Sequence, residues 1–407
     1  MIFNGQLNIM EKRAQKLMFW YAFLMAFPAV LIIQNISVFL FPFLLLTMHS
    51  LSGRFFILKY RIQFIAIAFG FGAIISVWNI PETMPYNSLS SALSVLPNYL
   101  YWVVLIMLLA SQKEWIRLDV IFRGIFLGTL LSLVYFFVLQ DFLLVIPIFK
   151  QITPNTFSFL LICYTPIVVW YAWYRYGFLV ACGILLALVL SGFLSGSRSG
   201  SLLTLSGGLF TFLLNRKSVG KIFTFSVLGF IVILFIGNSE IGKGLVFDLN
   251  ERTYDLIYNR KETLEGDRSY LVRLAQIEKA VIIFNKYPVS GIGLNNFTTY
   301  KVKLLGDFEG AEYVINKKRI DEKSAHNSYF GFLAEGGLVL VVPFVVLLLY
   351  IIGWFFFNAN RVLPKYRPVF IGIIHMSIHL YFIYAILNVF AWFLIALGGW
   401  VIVKHKT

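Results

Sequence analysis

The chain has 407 residues, of which 59% are hydrophobic and 13% are charged, with a mean hydropathy of +0.81. So little polar surface cannot coat a globule of this size, which excludes a water-soluble fold and indicates a multi-span membrane protein. The net charge of +15 does not indicate a nucleic acid partner, because the basic excess is spread among the short loops. In the one long polar segment, 238–327, 14 basic and 13 acidic side chains nearly cancel.

Apolar stretches recur from end to end, and a bilayer core requires about 20 apolar residues per helix. The sequence therefore predicts an all-α, polytopic fold with about 12 transmembrane helices. In chain order the predicted spans are 17–33, 36–49, 62–79, 95–111, 119–139, 156–174, 177–195, 200–215, 221–237, 328–357, 367–384 and 386–403. Helices 1–9 fill residues 1–237 and helices 10–12 fill 328–407, so one membrane domain carries one inserted loop, 238–327.

The basic residues of the short loops predict the orientation of this domain, because Lys and Arg accumulate on the cytoplasmic side. The side that also holds both termini contains 17 of them, whereas the short loops of the opposite side contain Lys150 and Arg198. Both termini are therefore predicted to be cytoplasmic, with the large loop outside. Residues 1–16 are polar, so no cleavable signal peptide is indicated.

The middle of the large loop is predicted to be helical. Asp267 is the expected N-cap and Pro288 ends the helix, and between them apolar residues recur at helical spacing, namely Leu274, Ile277, Val281 and Phe284. Such a helix is expected to lie on the membrane or on the ends of the spans. The glycines in 291–293, Gly-Ile-Gly, are expected to form a flexible turn after it.

Arg198 is the first candidate for chemistry. It stands in the segment 195–200, Ser-Gly-Ser-Arg-Ser-Gly, between two predicted spans. An arginine held there presents a planar fork that fits phosphate, and nearby helix termini add backbone donors. The alternative is an arginine at a helix end whose stem lies along apolar surface while its charge reaches water. The four small residues around it favour a phosphate-binding function.

Arg273 and Arg268 lie on the predicted loop helix. Arg273 is one turn before Ile277, at the edge of the apolar stripe, whereas Arg268 is rotated away from Arg273 by about 140° on a regular helix. Arg273 is therefore the better candidate to face a cleft at the membrane. The alternative is a surface arginine that pairs with Glu278 or Asp267.

His326 is the one histidine of the large loop, and it stands where the loop returns to an apolar helix. A neutral imidazole can take a proton from a hydroxyl nucleophile at physiological pH, so His326 is the candidate general base. A structural histidine is the alternative. The proximity of a base to two arginines would suit chemistry on an anionic substrate at a membrane surface.

Two other polar features lie in predicted spans. His375 and His379 are one helical turn apart, a spacing compatible with a metal, but no acidic or thiol side chain stands beside them, so a polar seam between helices is favoured. Glu335 is costly within a span and is expected to bond to a neighbouring helix or to orient His326. The sequence predicts no metal site and no cofactor.

Two glycine pairs also fall in predicted spans. Gly207-Gly208 and Gly336-Gly337 are expected to permit close helix packing. A phosphate-binding loop is not indicated, because the strand and lysine of a P-loop are missing.

Three segments together resemble the O-antigen ligase and polymerase superfamily of bacterial envelope glycosyltransferases. They are 195–200; 273–276, Arg-Leu-Ala-Gln, leading to 287–297, Tyr-Pro-Val-Ser-Gly-Ile-Gly-Leu-Asn-Asn-Phe; and 325–329, Ala-His-Asn-Ser-Tyr, followed by 334–338, Ala-Glu-Gly-Gly-Leu. Their order around one large outer loop is also similar to the family. The likeness covers about residues 154–343 and is otherwise topological.

The resemblance implies a metal-independent glycosyltransferase without a cofactor, located in the bacterial inner membrane with its large loop in the periplasm. Its donor would be a glycan on undecaprenyl pyrophosphate, and its acceptor lipid A core or another lipid-linked glycan. Arg198 and Arg273 would bind the donor pyrophosphate, assisted by Arg268. His326 would be the catalytic base, and Asn327 and Glu335 would support it.

Two departures from the family's pattern leave the acceptor open: Leu340 stands where members often have a second glycine, and 298–323 is rich in charge without a recognisable pattern. One dominant outer loop favours a ligase over a polymerase. A transporter or flippase for the same lipid is a different class of function, and it predicts ionisable or broken helices near the midplane of the bilayer. A structural assembly subunit would leave Arg198 unexplained.

Overall fold

A computed structural model of the protein describes residues 2–29, 60–85, 87–111, 117–144, 146, 149, 151–213, 268–304, 325–385 and 388–405. The predicted spans 36–49 and 221–237 lie outside these residues. So do 238–267 and 305–324, which make up most of the large loop.

Helices account for nearly all of the described chain. In chain order they are α1 (Ile2–Ala26), α2 (Arg61–Trp78), α3 (Ser88–Ser111), α4 (Leu118–Val134, continued by a π turn, Tyr135–Leu139, and by Gln140–Leu143), α5 (Pro154–Tyr176), α6 (Phe178–Leu194), α7 (Arg198–Leu213), α8 (Arg268–Lys286), α9 (Ser328–Asn358), a 3₁₀ turn (Pro364–Tyr366), α10 (Arg367–His379) and α11 (Val389–His405). No strand occurs among the residues described, so the all-α prediction is confirmed.

Most of the predicted spans coincide with these helices, because the thickness of the bilayer sets the length and apolar content of a span. The predicted spans 17–33 and 367–384 fall on α1 and α10, which are not among the described helices that are long and apolar enough to cross it. Among the described residues, five helices are long and apolar enough to cross a membrane: α2, α3, α4 with its continuation, α5 and α9. Three shorter apolar helices, α6, α7 and α11, accompany them. The largest differences from prediction are the early starts at Ile2 for α1 and at Ser88 for α3, and the early end of α1 at Ala26.

Two helices form the centre of the bundle. Buried positions run without a gap from Phe157 to Val169 in α5 and from Phe390 to Val403 in α11. A helix that is apolar on all sides is expected to be buried by its neighbours. Accordingly, α11 packs against α3, α5, α9 and α10, and its Trp392 stacks on Trp102 of α3 with ring centroids 4.4 Å apart.

The bundle has two ends that differ in content. We call the end where α5, α7 and α9 begin the upper end, and the opposite one the lower end. At the upper end, Ser328 N donates to Leu380 O, which joins the start of α9 to the end of α10. At the lower end the Tyr366 and Trp400 rings lie 6.1 Å apart, which joins the start of α10 to the end of α11. Helix α8 packs against α9.

The sequence predicted one continuous span at 328–357, but the helix there, α9, is broken. Gly337 has φ 57° and ψ −157°, so the backbone breaks nine residues after Ser328, which is about 14 Å along the axis. Only glycine adopts such a conformation without strain. A hydropathy pattern reports the apolar content of a span and carries no information on whether its backbone is regular.

Candidate functional site

The turn that holds Arg198 is built from small residues. Gly196 has φ +78°, a left-handed conformation that favours glycine and ends α6. Ser197 then caps α7, because its Oγ accepts a hydrogen bond from Gly200 N at 3.3 Å. Arg198 is therefore the first residue of α7, where backbone N–H groups and the helix dipole favour an anion.

Helix α5 fixes this turn against the end of α10. The Oγ atoms of Ser158 and Ser195 lie 2.9 Å apart, and a Cβ on Gly200 would approach the Ser158 Cβ to 2.7 Å. The next residue, Phe159, stacks on His379 with ring centroids 5.6 Å apart and an interplanar angle of 30°. Two adjacent residues of α5 thus place the Arg198 turn beside a buried histidine.

The start of α9 brings His326 to the same end. Asn327 is the N-cap, and its Oδ1 accepts hydrogen bonds from Tyr329 N at 3.0 Å and Phe330 N at 3.1 Å. His326 precedes it with φ 43°, a left-handed conformation that is uncommon outside glycine. Such backbone outliers cluster at functional sites, where the surrounding structure holds them in place. Here a buried Ala325 and the buried cap flank the histidine.

Hydrogen bonds tie the His326 segment to the end of α10. Ser328 N donates to Leu380 O at 2.8 Å, and Ser328 Oγ donates to Ile383 O at 2.7 Å. One residue later, Tyr329 OH donates to Ser377 O at 2.8 Å. These bonds flank the position of His379, so His326 and His379 belong to one cluster at the upper end.

His379 is a site candidate that the sequence argument assigned to a polar seam between helices. Its side chain is 3% exposed, and its Nδ1 has no hydrogen-bond partner among the described residues. The Asn327 Nδ2 is likewise buried and without a partner there. Buried polar atoms are rarely left unsatisfied, so two of them at one place indicate a position for a polar ligand or water.

The other histidine of the pair behaves differently. His375 Nδ1 lies 2.8 Å from Ile371 O of its own helix, and the described residues include no group of three or more His, Cys, Asp or Glu side chains that would complete a ligand set. The pair spacing alone gave no means to separate the two histidines. Each ring contacts an aromatic residue that is distant in sequence, Phe210 for His375 and Phe159 for His379, so the hydrogen bonding of Nδ1 is what separates them.

Helix α8 adds Arg273 to the cluster. The Arg273 side chain is exposed, and its charge acts on the ring of His379. That Arg273 rather than Arg268 faces the cleft stays a prediction, and this electrostatic effect on His379 is consistent with it for Arg273. Arg268 is the first residue of α8, and its side chain, like that of Arg198, is outside the description.

The predicted apolar stripe of α8 packs on the protein only in part, through the half-buried Ile277 and Phe284. Leu274 and Val281 of the expected stripe are 38% and 39% exposed, whereas Val272, Ala275 and Ile283 are buried. The helix has apolar residues on two sides, and small residues such as Ala275 allow its backbone to come close to α9. The large residues at 274 and 281 are left on the outer surface.

The segment after α8 was expected to be a flexible turn; the turn is present, and backbone hydrogen bonds hold it against α9. Ile292 N donates to Ala334 O and Gly293 N to Glu335 O, while Leu338 N donates to Pro288 O and Val339 N to Val289 O, at 2.9 to 3.1 Å. In a regular helix the 338 and 339 amides would bond to the 334 and 335 carbonyls. The break at Gly337 frees these four groups, and the 288–293 segment satisfies all of them.

The glycines of both motifs make this close docking possible. A Cβ on Gly337 would collide with Val289 O and approach Gly291 N to 2.8 Å, and a Cβ on Gly291 would collide with Ala334 O. The expectation that the 336–337 pair permits close packing is therefore confirmed for Gly337. Its partner is a loop segment instead of a helix.

Glu335 joins the same junction. Its Oε1 accepts from Phe297 N at 3.2 Å and its Oε2 from Tyr384 OH at 2.8 Å, and the carboxylate is 2% exposed. These partners favour the expected role of a bond between elements. Lys279 of α8 is fully buried, with its Nζ 4.7 Å from the centre of the Phe297 ring, and its charge acts on Glu335. Lys279 was not predicted as a buried residue, because the sequence of a polar loop does not distinguish a buried lysine from a solvated one.

Aromatic residues attach the C-terminal end of α8 to the loop after α2. Tyr287 OH lies 3.1 Å from Thr83 Oγ1, and Lys286 Nζ donates to Tyr300 OH at 3.2 Å. The bond to Thr83 lowers the pKa of Tyr287, and the bond to Tyr300 raises the pKa of Lys286. Asn296 Nδ2 also donates to Ser88 O at 3.2 Å, which links the segment to α3. The loop helix is thus held as a rigid part of the upper end.

The fold and the upper-end cluster define a class of protein: an all-α membrane protein with a polar site between the ends of its helices. Residues 181–345 match the model of a family described as O-antigen ligase, which confirms the resemblance to the O-antigen ligase and polymerase superfamily. The family implies a membrane context and lipid-linked glycan substrates. The matched region contains Arg198, Arg273, His326 and Glu335, whereas His379 lies outside it. Comparison with curated proteins gave no match.

Proposed function

We propose that the protein transfers a glycan from undecaprenyl pyrophosphate to a hydroxyl group of lipid A core, in the manner of an O-antigen ligase. The acceptor hydroxyl attacks the anomeric carbon, a new carbon–oxygen bond forms, and the bond between that carbon and the pyrophosphate oxygen breaks. Attack opposite the leaving group inverts the anomeric centre. The reaction would take place at the periplasmic face of the bacterial inner membrane, with both termini in the cytoplasm.

The proposed roles follow from charge. Arg198 and Arg273, with Arg268 as a further contact, would neutralise the pyrophosphate as it leaves, and the first turn of α7 would add backbone N–H groups. Preorganised cations of this kind carry out the charge neutralisation for which many phosphate-transfer enzymes use a divalent ion. The proposed reaction therefore proceeds without a metal.

His326 would take the proton of the acceptor hydroxyl as the new bond forms. Its position next to the buried cap Asn327 holds the backbone in one conformation, which is what a base must have to meet a hydroxyl at a fixed distance. The Ser328–Leu380 hydrogen bond joins the His326 segment to the end of α10, where His379 precedes Leu380. From there His379 would contact the substrate through Nδ1. Glu335 and Lys279 would keep α8, and with it Arg273, in position.

The observation that carries the proposal is the meeting of four segments that are far apart in sequence. The 195–200 turn, α8, the 325–328 segment and the end of α10 are joined through Ser158, Phe159, Ser328 and His379. Cations, a candidate base and buried polar atoms without partners therefore lie at one end of the bundle. That combination suits an anionic donor and a hydroxyl acceptor.

The alternative of a transporter or flippase has one feature in its favour, the broken helix α9. In transporters such breaks line a cavity through which the substrate passes. Here the four backbone groups freed by the break bond to the 288–293 segment, so they are buried within protein. This arrangement supports a fixed scaffold for a transferase over a moving gate.

Reconstitution tests the proposal. The purified protein in liposomes, supplied with an undecaprenyl pyrophosphate-linked glycan and lipid A core, is expected to form glycosylated core and to continue in EDTA. His326→Ala and Arg198→Ala should each lower transfer at least about a hundredfold, as expected for loss of a general base or of a leaving-group contact. Arg361→Ala, an exposed arginine at the lower end, is the control. Wild-type transfer by His326→Ala would contradict the mechanism.

The choice of acceptor separates the ligase from the polymerase of the same superfamily. In the liposome assay a polymerase would extend a second lipid-linked glycan in preference to lipid A core. In cells, deletion of the gene and electrophoresis of the surface glycans gives a second result. Loss of all capped lipid A core indicates a ligase, whereas core with a single capped repeat indicates a polymerase.

A further inference from the structure

The lower end of the bundle contains a cavity that plays no part in the proposed reaction. It has a volume of about 810 Å³ and is formed by the start of α4, the end of α5, the 3₁₀ turn before α10 and the end of α11. Helix α5 has 23 residues and separates this cavity from the Arg198 turn by about 35 Å. A ligand here cannot touch the upper-end residues.

The lining of the cavity is strongly basic. It includes five basic side chains, Arg117, Arg123, Arg175, Lys365 and Lys404, and a single acidic one, Asp119. Asp119 pairs with Arg117, with Arg117 Nη2 and Asp119 Oδ2 3.1 Å apart. Four more cationic side chains line the same open cavity, so it has the electrostatic character of an anion site.

Aromatic rings hold two of these cations in place. The Lys404 Nζ lies 4.7 Å from the centre of the Trp400 ring, and the Lys365 Nζ lies 5.3 Å from that of Tyr366. Each ammonium group is thereby fixed over a ring face at the cavity wall. These contacts reduce the side-chain entropy that a lysine would lose on binding an anion.

One buried donor in the lining has no partner. Trp400 is fully buried, and its Nε1 makes no hydrogen bond within the part of the chain that the structure describes. The indole N–H can only donate, and it has essentially no accessible surface, so it is not itself exposed to the cavity. The ring of Trp400 contributes to the wall, and the basic side chains are what indicate an anionic ligand.

The surroundings of the cavity indicate a lipid over a soluble anion. Trp170 and Tyr174 stack with centroids 5.2 Å apart, and Tyr174 is 75% exposed, as in the aromatic belts at membrane interfaces. The exposed side chains of Leu127 in α4 and Leu179 in α6 present an apolar surface to acyl chains. Basic pockets between transmembrane helices at this level bind anionic head groups.

We propose that this cavity binds the phosphate head group of an anionic phospholipid, whose acyl chains lie on the outer surface of α4 and α6. Arg123, Arg175, Lys365 and Lys404 surround the phosphate, which lies beside the ring of Trp400. The lipid would join four helix ends that are distant in sequence. It would therefore raise the thermal stability of the bundle without changing the chemistry at the upper end.

Native mass spectrometry of the full-length, delipidated protein tests the proposal. Added phosphatidylglycerol is expected to bind at one tight site, and phosphatidylcholine is not. The double variant Arg175→Ala/Lys365→Ala should weaken phosphatidylglycerol binding at least about tenfold, because each basic residue contributes about 1 kcal/mol to attraction of an anionic lipid. The control Arg61→Ala/Arg361→Ala removes the same charge from exposed lower-end positions outside the cavity and should bind as the wild type does.

Three results would overturn the proposal. Equal loss of binding in both double variants would mean a general charge effect, and equal binding of phosphatidylcholine would mean that no anion site exists. Displacement of phosphatidylglycerol by millimolar inorganic phosphate would indicate a site for a soluble anion. A Lys365→Ala single variant, which alters an exposed side chain, guards against misfolding, and its melting temperature without lipid should equal that of the wild type.

Discussion

The two ends of the bundle gather positive charge in different ways. At the upper end Arg198 and Arg273 come from a helix start and a loop helix, and glycines, serine caps and a broken helix hold the segments that carry them. At the lower end the cations lie at the ends of α4, α5 and α11 and on the 3₁₀ turn before α10, beside aromatic rings. The upper end is specified by backbone geometry and the lower end by side-chain composition. Substitutions at the upper end should therefore act by disturbing the backbone, and those at the lower end by removing charge.

The largest effect is expected at the break of α9. Gly337→Ala places a Cβ against the Val289 carbonyl at a φ of 57°, so it should lower the free energy of unfolding by more than about 2 kcal/mol. Gly353→Ala, lower in the same helix, meets open space and should raise it by about 0.5 to 1 kcal/mol. Unfolding in a denaturing detergent, followed by circular dichroism, measures both values.

That pair of variants also examines whether the break serves the site. Glycan transfer by Gly337→Ala should fall together with its stability, because the 288–293 segment and α8 depend on the same hydrogen bonds. If the two alanine variants were equally stable, the backbone at Gly337 would be no more demanding than that at Gly353. The idea that backbone geometry specifies the upper end but not the lower end would then be wrong.

A smaller effect is expected at His379. His379→Phe keeps a ring to stack on Phe159 but removes the buried Nδ1, so transfer should fall about tenfold, the equivalent of one lost hydrogen bond to substrate. The melting temperature should be unchanged. His375→Phe, one turn deeper, is the matched comparison, because His375 Nδ1 is engaged with Ile371 of its own helix. If both variants transferred glycan at the wild-type rate, His379 would be a packing residue.

The smallest effect is expected at the Arg117–Asp119 pair of the lower end. Both side chains are more than half exposed, at 57% and 60%, so Arg117→Ala should change the free energy of unfolding by less than about 0.5 kcal/mol. Detergent unfolding at low and high salt measures the change. A loss above about 2 kcal/mol would show that charge pairing at the lower end is as structurally demanding as the geometry of the upper end.

Much of the fold was predictable because the bilayer imposes a length on each helix. The spans found for α2, α5 and α9 required only counts of apolar residues. Counting apolar residues did not predict which face of α8 is buried, since apolar residues lie on two of its sides. Packing against α9 buries Ala275 and leaves Leu274 exposed. The same holds for Lys279, whose burial depends on Phe297 and Glu335 being brought to it.

The candidate site was predictable in part. His326, Arg198 and Arg273 stood out from the sequence because charged or titratable groups at the edges of apolar stretches are costly. Asn327 was expected as a support, and it is the N-cap of α9. His379 could not be assigned to the site, because its neighbour in space, Phe159, is more than 200 residues away in the chain.

The sequence by itself determined the class of protein, the helices and the residues that carry charge, because these depend on composition and on local spacing. Tertiary structure decided which of those residues meet. The four hydrogen bonds between 288–293 and the break of α9, and the contacts of Ser158 and Phe159, involve partners separated by tens to hundreds of residues. Such pairings depend on how helices pack, and local patterns do not encode them.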